Sequence, residues 1–100
     1  MNITIEKANN ITTAHLIGRL DTPACQEADA YFTQLQDAAD GIVTLDCAEL
    51  AYISSSGLRL FLSLRKAASA KGGKVIVKNI SDPIRQVFMM TGFLNIFEIQ

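Results

Sequence analysis

The chain has 100 residues, of which 49% are hydrophobic, enough to build a core without metal or disulfides, and we expect one α/β domain covering 1–100. Nine Lys and Arg against ten Asp and Glu give a net charge of −1, and no basic stripe suited to nucleic acid is present. No apolar run approaches the roughly 20 residues that span a bilayer and no signal-peptide core begins the chain, so we expect a cytoplasmic protein without membrane contact.

The first predicted element is a β-hairpin. Ile3 and Ile5 alternate with polar residues, Asn9-Asn10 tolerates left-handed turn geometry, and an extended pattern resumes over Thr12 to Ile17. His15 lies in the second strand and is the only histidine of the chain. We therefore interpret it as a half-exposed strand residue and not as a catalytic one.

A helix is predicted next, from Pro23 to Ala38. Thr22 is placed to cap it, and Pro23 occupies the first helical position, where a missing N–H costs nothing. Asp21 comes just before. Its carboxylate suits a turn or capping role at a helix start.

Asp40-Gly41 interrupts the chain before a short apolar strand, Ile42 to Leu45, which we expect inside the sheet. Cys47 follows this strand, and Cys25 lies in the preceding helix. Both have apolar neighbours and neither has metal-ligand spacing. They are predicted to be buried thiols, without a disulfide or a metal.

The stretch 51–61 is the most informative part of the chain. An apolar lead-in meets Ser54 to Ser56, Gly57 and then a strongly apolar run, which predicts a helix start carrying hydroxyls. Gly57 allows another chain to approach the first turn closely, and a phosphate added there would meet free N–H groups. The helix should be deeply packed and should end at Lys71-Gly72-Gly73. Its apolar residues are Leu58, Leu60, Phe61, Leu62, Leu64, Ala67 and Ala68.

The last part of the chain predicts a strand over Lys74 to Lys78, a third helix that Asp82 caps and Gly92 ends, and a final short strand. The whole pattern implies a mixed sheet of about five strands with an antiparallel N-terminal hairpin, parallel crossovers and three main helices. The serines then lie at the carboxyl end of a strand, where α/β sheets place binding sites.

Three short segments carry motifs of one known family. Ser55-Ser56-Gly57-Leu58 follows the apolar lead-in, Gly18-Arg19-Leu20-Asp21 forms a turn, and Val87 to Phe93 lies near the end of the chain. Together they resemble the STAS domain of bacterial anti-sigma factor antagonists. In that family the motif is aspartate, serine, serine or threonine, glycine, leucine. The resemblance makes Ser55 the phosphorylated serine, with Ser54 in the place of the aspartate.

The resemblance implies a domain that is not an enzyme and that binds an anti-sigma factor, usually a serine kinase, so that a sigma factor is released. The kinase would phosphorylate Ser55, with Ser54 and Ser56 as neighbouring alternatives, and a PP2C-type phosphatase would restore binding. No cofactor or metal is implied, and a monomer or weak dimer is expected. The expected partner-binding residues are Asp21, Thr22, Ser54, Ser55, Ser56, Gly57, Leu58 and Arg59.

Two alternatives accompany this prediction. The first is a STAS scaffold that binds its partner constitutively, which Ser54 favours because a hydroxyl cannot supply the charge of the aspartate. The second is an enzyme, since Ser55, His15 and Asp21 supply the residue types of a hydrolytic triad. The chain has no G-x-S-x-G elbow and His15 lies in a regular strand, so catalysis is not predicted.

Overall fold

The computed structural model describes every residue from Met1 to Gln100. It contains five strands, three α-helices and one short 3₁₀ turn. In chain order these are β1 (Asn2–Ala8), β2 (Ile11–Leu20), α1 (Thr22–Asp37), β3 (Ile42–Ile53), α2 (Ser55–Lys71), β4 (Lys74–Lys78), α3 (Asp82–Thr91), the 3₁₀ turn (Phe93–Asn95) and β5 (Glu98–Ile99).

The sheet follows the order of the chain, β1-β2-β3-β4-β5. β1 and β2 form the predicted antiparallel hairpin, and the other three pairs are parallel. Right-handed crossovers between successive neighbours place all three helices on the same face. Burial agrees, because Ala14 and Leu16 are fully buried while Thr13, His15 and Ile17, which alternate with them, are half-buried. The predicted fold class is confirmed, and one face of the sheet is left open to solvent.

All three helices begin with the same capping bond, in which a side-chain oxygen accepts from the amide N–H three residues on. In α1 the cap is Asp21, whose Oδ1 accepts from the Ala24 N–H at 3.0 Å, so the prediction that Thr22 caps this helix was wrong. In α3 the cap is Ser81 and not Asp82. The reason is local: the capping residue must be extended, and Asp21 is extended at φ −82° and ψ 178° while Thr22 is already helical.

β3 is much longer than the predicted segment Ile42 to Leu45, since it continues to Ile53. Two irregularities interrupt its pairing with β2. Between the pairs His15–Asp46 and Ile17–Glu49, β3 contains one residue more than β2. A second extra residue of β3 lies opposite the step from Gly18 to Arg19, near the end of β2. Such bulges break the two-residue alternation that identifies a strand in the sequence. They explain why only the first part of β3 was predicted.

The core is one cluster of 22 buried apolar residues between the sheet and the helices. Phe61 of α2 lies at its centre, with ring centroids 5.8 Å from Phe32, 6.1 Å from Phe88 and 6.3 Å from Phe97. This one side chain therefore connects α1, α2, α3 and the C-terminal segment.

Deep packing of α2 holds for one face only. Phe61 and Leu64 are fully buried, whereas Leu62 is only partly buried.

Both cysteines are buried and free, as predicted. Burial raises the pKa of Cys47 to about 12, and the neighbouring carboxylate of Asp46 adds to the rise, so this thiol stays protonated and unreactive at neutral pH.

Candidate functional site

The starts of α1 and α2 lie side by side at the carboxyl ends of β2 and β3. Leu20 and Ile53, the last residues of these strands, are paired in the sheet. The Ser54 N–H then donates to the Leu20 carbonyl at 2.9 Å. Asp21 and the serines are 33 residues apart in the sequence, counted from Asp21 to Ser54, and this pairing makes them neighbours.

Ser54 is fixed in place by its own hydroxyl. The Oγ donates to the Leu20 carbonyl at 3.0 Å and accepts from the Gly57 N–H at 3.2 Å. It lies 3.8 Å from the Cys25 Sγ, and the residue is only 8% exposed. A phosphate on this oxygen would break the bond to Leu20 and would have to be buried. Ser54 is therefore a structural cap and a poor acceptor for modification.

Ser55, by contrast, is exposed at the first position of α2, and Ser56 after it is half-buried. The Gly57 amide is taken by the Ser54 Oγ, and the Leu58 amide by the Ser54 carbonyl at 2.9 Å. The first-turn amides left over are those of Ser55 and Ser56. An anionic group on the Ser55 Oγ would lie beside them at the positive end of the helix.

Gly57 brings α2 close to the sheet of the same chain, a contact that the sequence did not predict. A Cβ added at this position would lie 2.8 Å from the Ile53 Cγ1 and 2.9 Å from the Leu20 Cδ2, closer than side-chain atoms pack. The first turn of α2 thus rests directly on the ends of β2 and β3. The position of Ser55 relative to α1 is fixed by this contact.

An open groove of about 500 Å³ runs between α1 and α2. Three of the predicted contact residues line it, namely Thr22, Ser56 and Arg59. The wall of α1 also carries Gln26 and Asp29, which the sequence analysis missed. Leu58, another predicted contact residue, packs partly against the core and is not among the groove residues.

A family model for the STAS domain matches residues 2–100, nearly the whole chain. The chain belongs to the STAS domain family. The resemblance found in the sequence is confirmed, and the paired helix starts lie where its motifs predict them.

Two relatives, and two solved structures of a further protein, are similar to this STAS domain over most of their length. BtrV of Bordetella bronchiseptica, named as a candidate anti-sigma factor antagonist, is 30% identical over 99 residues, covering 99% of this chain and 85% of BtrV. The anti-sigma-B factor antagonist of Listeria monocytogenes is 28% identical over 108 residues, covering 100% of this chain and 90% of that protein.

The fold is that of SpoIIAA, described as an anti-sigma factor antagonist and as a Bacillus cell fate determinant. Its unphosphorylated form superposes with a TM-score of 0.75 at 24% identity, covering 99% of this chain and 87% of SpoIIAA. Its phosphorylated form gives a TM-score of 0.75 at 23% identity, covering 99% of this chain and 91% of SpoIIAA.

No helix of this STAS domain combines the length and the apolar character that crossing a bilayer requires.

Arg19 and Tyr52 form an exposed pair that the sequence analysis did not identify. They are partners in the sheet, and the Arg19 Cζ lies 4.4 Å from the centre of the Tyr52 ring, within cation–π range. Each precedes a helix cap of the STAS domain by two residues, Arg19 before Asp21 and Tyr52 before Ser54. Only the register of the bulged strands brings the two side chains together, so no local pattern could reveal them.

His15 is not part of a triad with Ser55. Its Nδ1 lies 3.0 Å from the Asp46 Oδ2, on the open face of the sheet. It is also five residues before the end of β2, roughly 16 Å along the strand from the helix starts. The residue types of a hydrolytic triad are thus present in the sequence, but the fold keeps histidine and serine apart.

Asp46 is the centre of this separate polar cluster. Partial burial by itself raises the pKa of the Asp46 carboxyl, but hydrogen bonds from Asn79, from the Ala48 N–H and from His15 outweigh it. The pKa is therefore held below its ordinary value. The cluster ties β2, β3 and the end of β4 together, which is a structural role.

Proposed function

We propose that this STAS domain, residues 1–100, is a cytoplasmic anti-sigma factor antagonist. It binds an anti-sigma factor of the serine-kinase type and so releases a sigma factor for transcription. Phosphorylation of Ser55 by that kinase ends the contact, and a PP2C-type phosphatase restores it. The observation that carries the proposal is the position of Ser55, exposed at the start of α2 beside the start of α1.

The surrounding residues support a binding surface. Asp21 and Thr22 belong to the start of α1, and Ser56 and Arg59 to the first turns of α2, so the two helix starts present one continuous surface with the groove between them. Arg19 and Tyr52 extend it along the strand ends. Arginine and tyrosine are among the residue types that most often dominate the energy of protein interfaces.

Two opposing electrostatic effects make Ser55 suitable as a switch. About two negative charges on this oxygen are stabilised within the domain by the unpaired amides of the first turn. The same charges, in the middle of an interface, lose their hydration when a partner covers them and can weaken binding by several kcal/mol. The modified domain therefore keeps its fold and loses its partner.

The test combines mass spectrometry with a binding measurement. The domain is incubated with ATP and the anti-sigma kinases of its own cell, the modified residue is located by fragment masses, and affinity is measured by calorimetry. We expect the phosphate on Ser55 and binding weaker by at least about tenfold, or 1.4 kcal/mol. Ser55→Ala should stay unmodified and bound, while the matched control Ser56→Ala should still be switched. Phosphate on Ser54 or Ser56 in place of Ser55 would contradict the proposal.

The constitutive binder remains the second candidate function, because Ser54 stands where the family has an aspartate. The Ser54 hydroxyl accepts the capping bond that the aspartate carboxylate would accept, but it does not supply the negative charge of that carboxylate. If the kinase partner binds the domain and never modifies any of the three serines, this alternative replaces the switch.

A further inference from the structure

One edge of the sheet has no neighbour over a long stretch. β1 pairs only with β2 along its seven residues, whereas β5, the opposite edge strand, has two residues. A strand edge of this length exposes a row of unpaired N–H and C=O groups, and the partner that satisfies them is another extended strand.

A notch of about 260 Å³ lies beside this edge, between β1 and α1. Ile3, Ala28 and Tyr31 give it apolar surface, and Glu27 gives it a carboxylate. Tyr31 is 42% exposed, so its ring is accessible to a partner at this notch. Met1 and Asn2 complete the lining. The unpaired edge thus adjoins a depression that combines apolar side chains with the carboxylate of Glu27.

We propose that a second copy of this chain covers the edge, with the two β1 strands paired antiparallel about a two-fold axis. Pairing of the whole strand, Asn2–Ala8, places its middle residue, Ile5, on the axis. The two Ile5 side chains then meet on the face that carries the helices, because Ile3 and Ile5 pack against the core on that side.

The same register provides charge complementarity. Lys7 follows Ile5 at a spacing of two and therefore points to the same face. In the full-length pairing, Lys7 of one copy stands opposite Ile3 of the other, a residue that lines the notch. The Lys7 ammonium group of one copy then lies near the Glu27 carboxylate of the other copy, and the two-fold axis generates the same contact a second time. This self-complementarity favours a second copy over a strand from an unrelated protein.

The surface is independent of the proposed switch, since it involves none of the residues from Ser54 to Arg59. Sedimentation equilibrium of the full chain, from about 10 μM to 1 mM, should show a reversible dimer. Lys7→Glu and Glu27→Lys should each weaken it by about tenfold, because every dimer then contains two like-charge contacts. The double variant should restore the affinity to within about threefold, and the control Lys66→Glu, exposed on α2, should change nothing.

The register has its own test. Ile5→Cys should form a disulfide-linked dimer on oxidation because the two residues face each other at the axis, whereas Glu6→Cys should not. A chain that stays monomeric at all concentrations, a double variant that fails to restore the dimer, or equal cross-linking by both cysteine variants would each overturn the proposal.

Discussion

At the scale of single residues, Ser54 shows how one change can keep a structure and alter its electrostatics. Serine and aspartate are both preferred helix caps, so the hydroxyl holds the Gly57 amide as a carboxylate would. It also donates to the Leu20 carbonyl, which a carboxylate cannot do. The helix start is preserved, while the negative charge next to Ser55 is absent.

The contribution of the Ser54 cap to the free energy of unfolding can be measured. Ser54→Ala removes the bond to the Gly57 amide and should lower the free energy of unfolding by about 1 kcal/mol, within a range of roughly 0.5 to 2. Urea melts of the two proteins give the difference. Ser55→Ala, one position on and exposed, should change it by less than about 0.5 kcal/mol. Equal losses in both variants would show that Ser54 is not the cap.

Asp46 should make stability depend on acid. Its folded pKa lies below the ordinary value, so the charged carboxylate stabilises the folded state at neutral pH. This contribution is complete above the ordinary carboxyl pKa of about 3.9 and is lost as the pH falls through the lower folded pKa. In melts from pH 7 to pH 2.5, Asp46→Asn should be less stable than the unaltered chain at neutral pH, and the gap should close below pH about 4. Asp40→Asn, on the exposed turn before β3, is the control, and a gap that persists in acid would contradict the assignment.

At the scale of elements, the sequence predicted the order and type of every helix and strand, because period and turn residues are local signals. It failed where the answer depends on the backbone conformation of one residue or on contacts between segments. Thr22 and Asp82 are each as good a cap as the residue before them, and only the extended backbone at Asp21 and Ser81 decides. The bulges of β3 arise from its pairing with β2.

Only part of the candidate site could be predicted from the sequence. The serines, Thr22 and Arg59 could be found because their motifs are contiguous, and the structure brings Thr22, Ser56 and Arg59 into one groove. Asp29 could not, because it gains its position only when α1 packs beside α2.

The one-sided burial of α2 predicts unequal costs for two neighbouring truncations. Phe61→Ala leaves a cavity where three other rings meet and should lower the free energy of unfolding by about 3 to 5 kcal/mol. Leu62→Ala removes a partly buried side chain and should lower it by less than about 2 kcal/mol. Denaturant melts with unchanged slopes measure both. A larger loss for Leu62 would mean that α2 turns a different face to the core.

At the scale of the whole molecule, all the residues proposed for partner binding lie at one end, where β2 and β3 give way to α1 and α2. The other end and the open face of the sheet contribute none of them. Binding should therefore be sensitive to charge at this end and insensitive to charge elsewhere.

Asp21 needs a variant that separates capping from binding. Asp21→Asn keeps a capping oxygen and removes the charge, so it should weaken partner binding with little change in melting temperature, as should Arg59→Glu. Asp21→Ala should weaken binding and also lower the melting temperature, because the bond to the Ala24 amide is lost. Calorimetry with the anti-sigma partner, and Lys66→Glu as the control, completes the comparison. Unaltered affinity in both Asp21→Asn and Arg59→Glu would exclude this surface.

The agreement between strand order and chain order also bears on how the molecule is made. Each strand pairs with the one that precedes it, and no parallel pair is separated by more than one α-helix. A chain leaving the ribosome can thus add every new strand to an edge that has already formed, without waiting for a distant segment. Apart from the hairpin, each pair of neighbouring strands is joined by a crossover built around one α-helix. The entropy cost of each step therefore stays moderate, so folding should be fast for a largely parallel sheet and should proceed in the direction of synthesis.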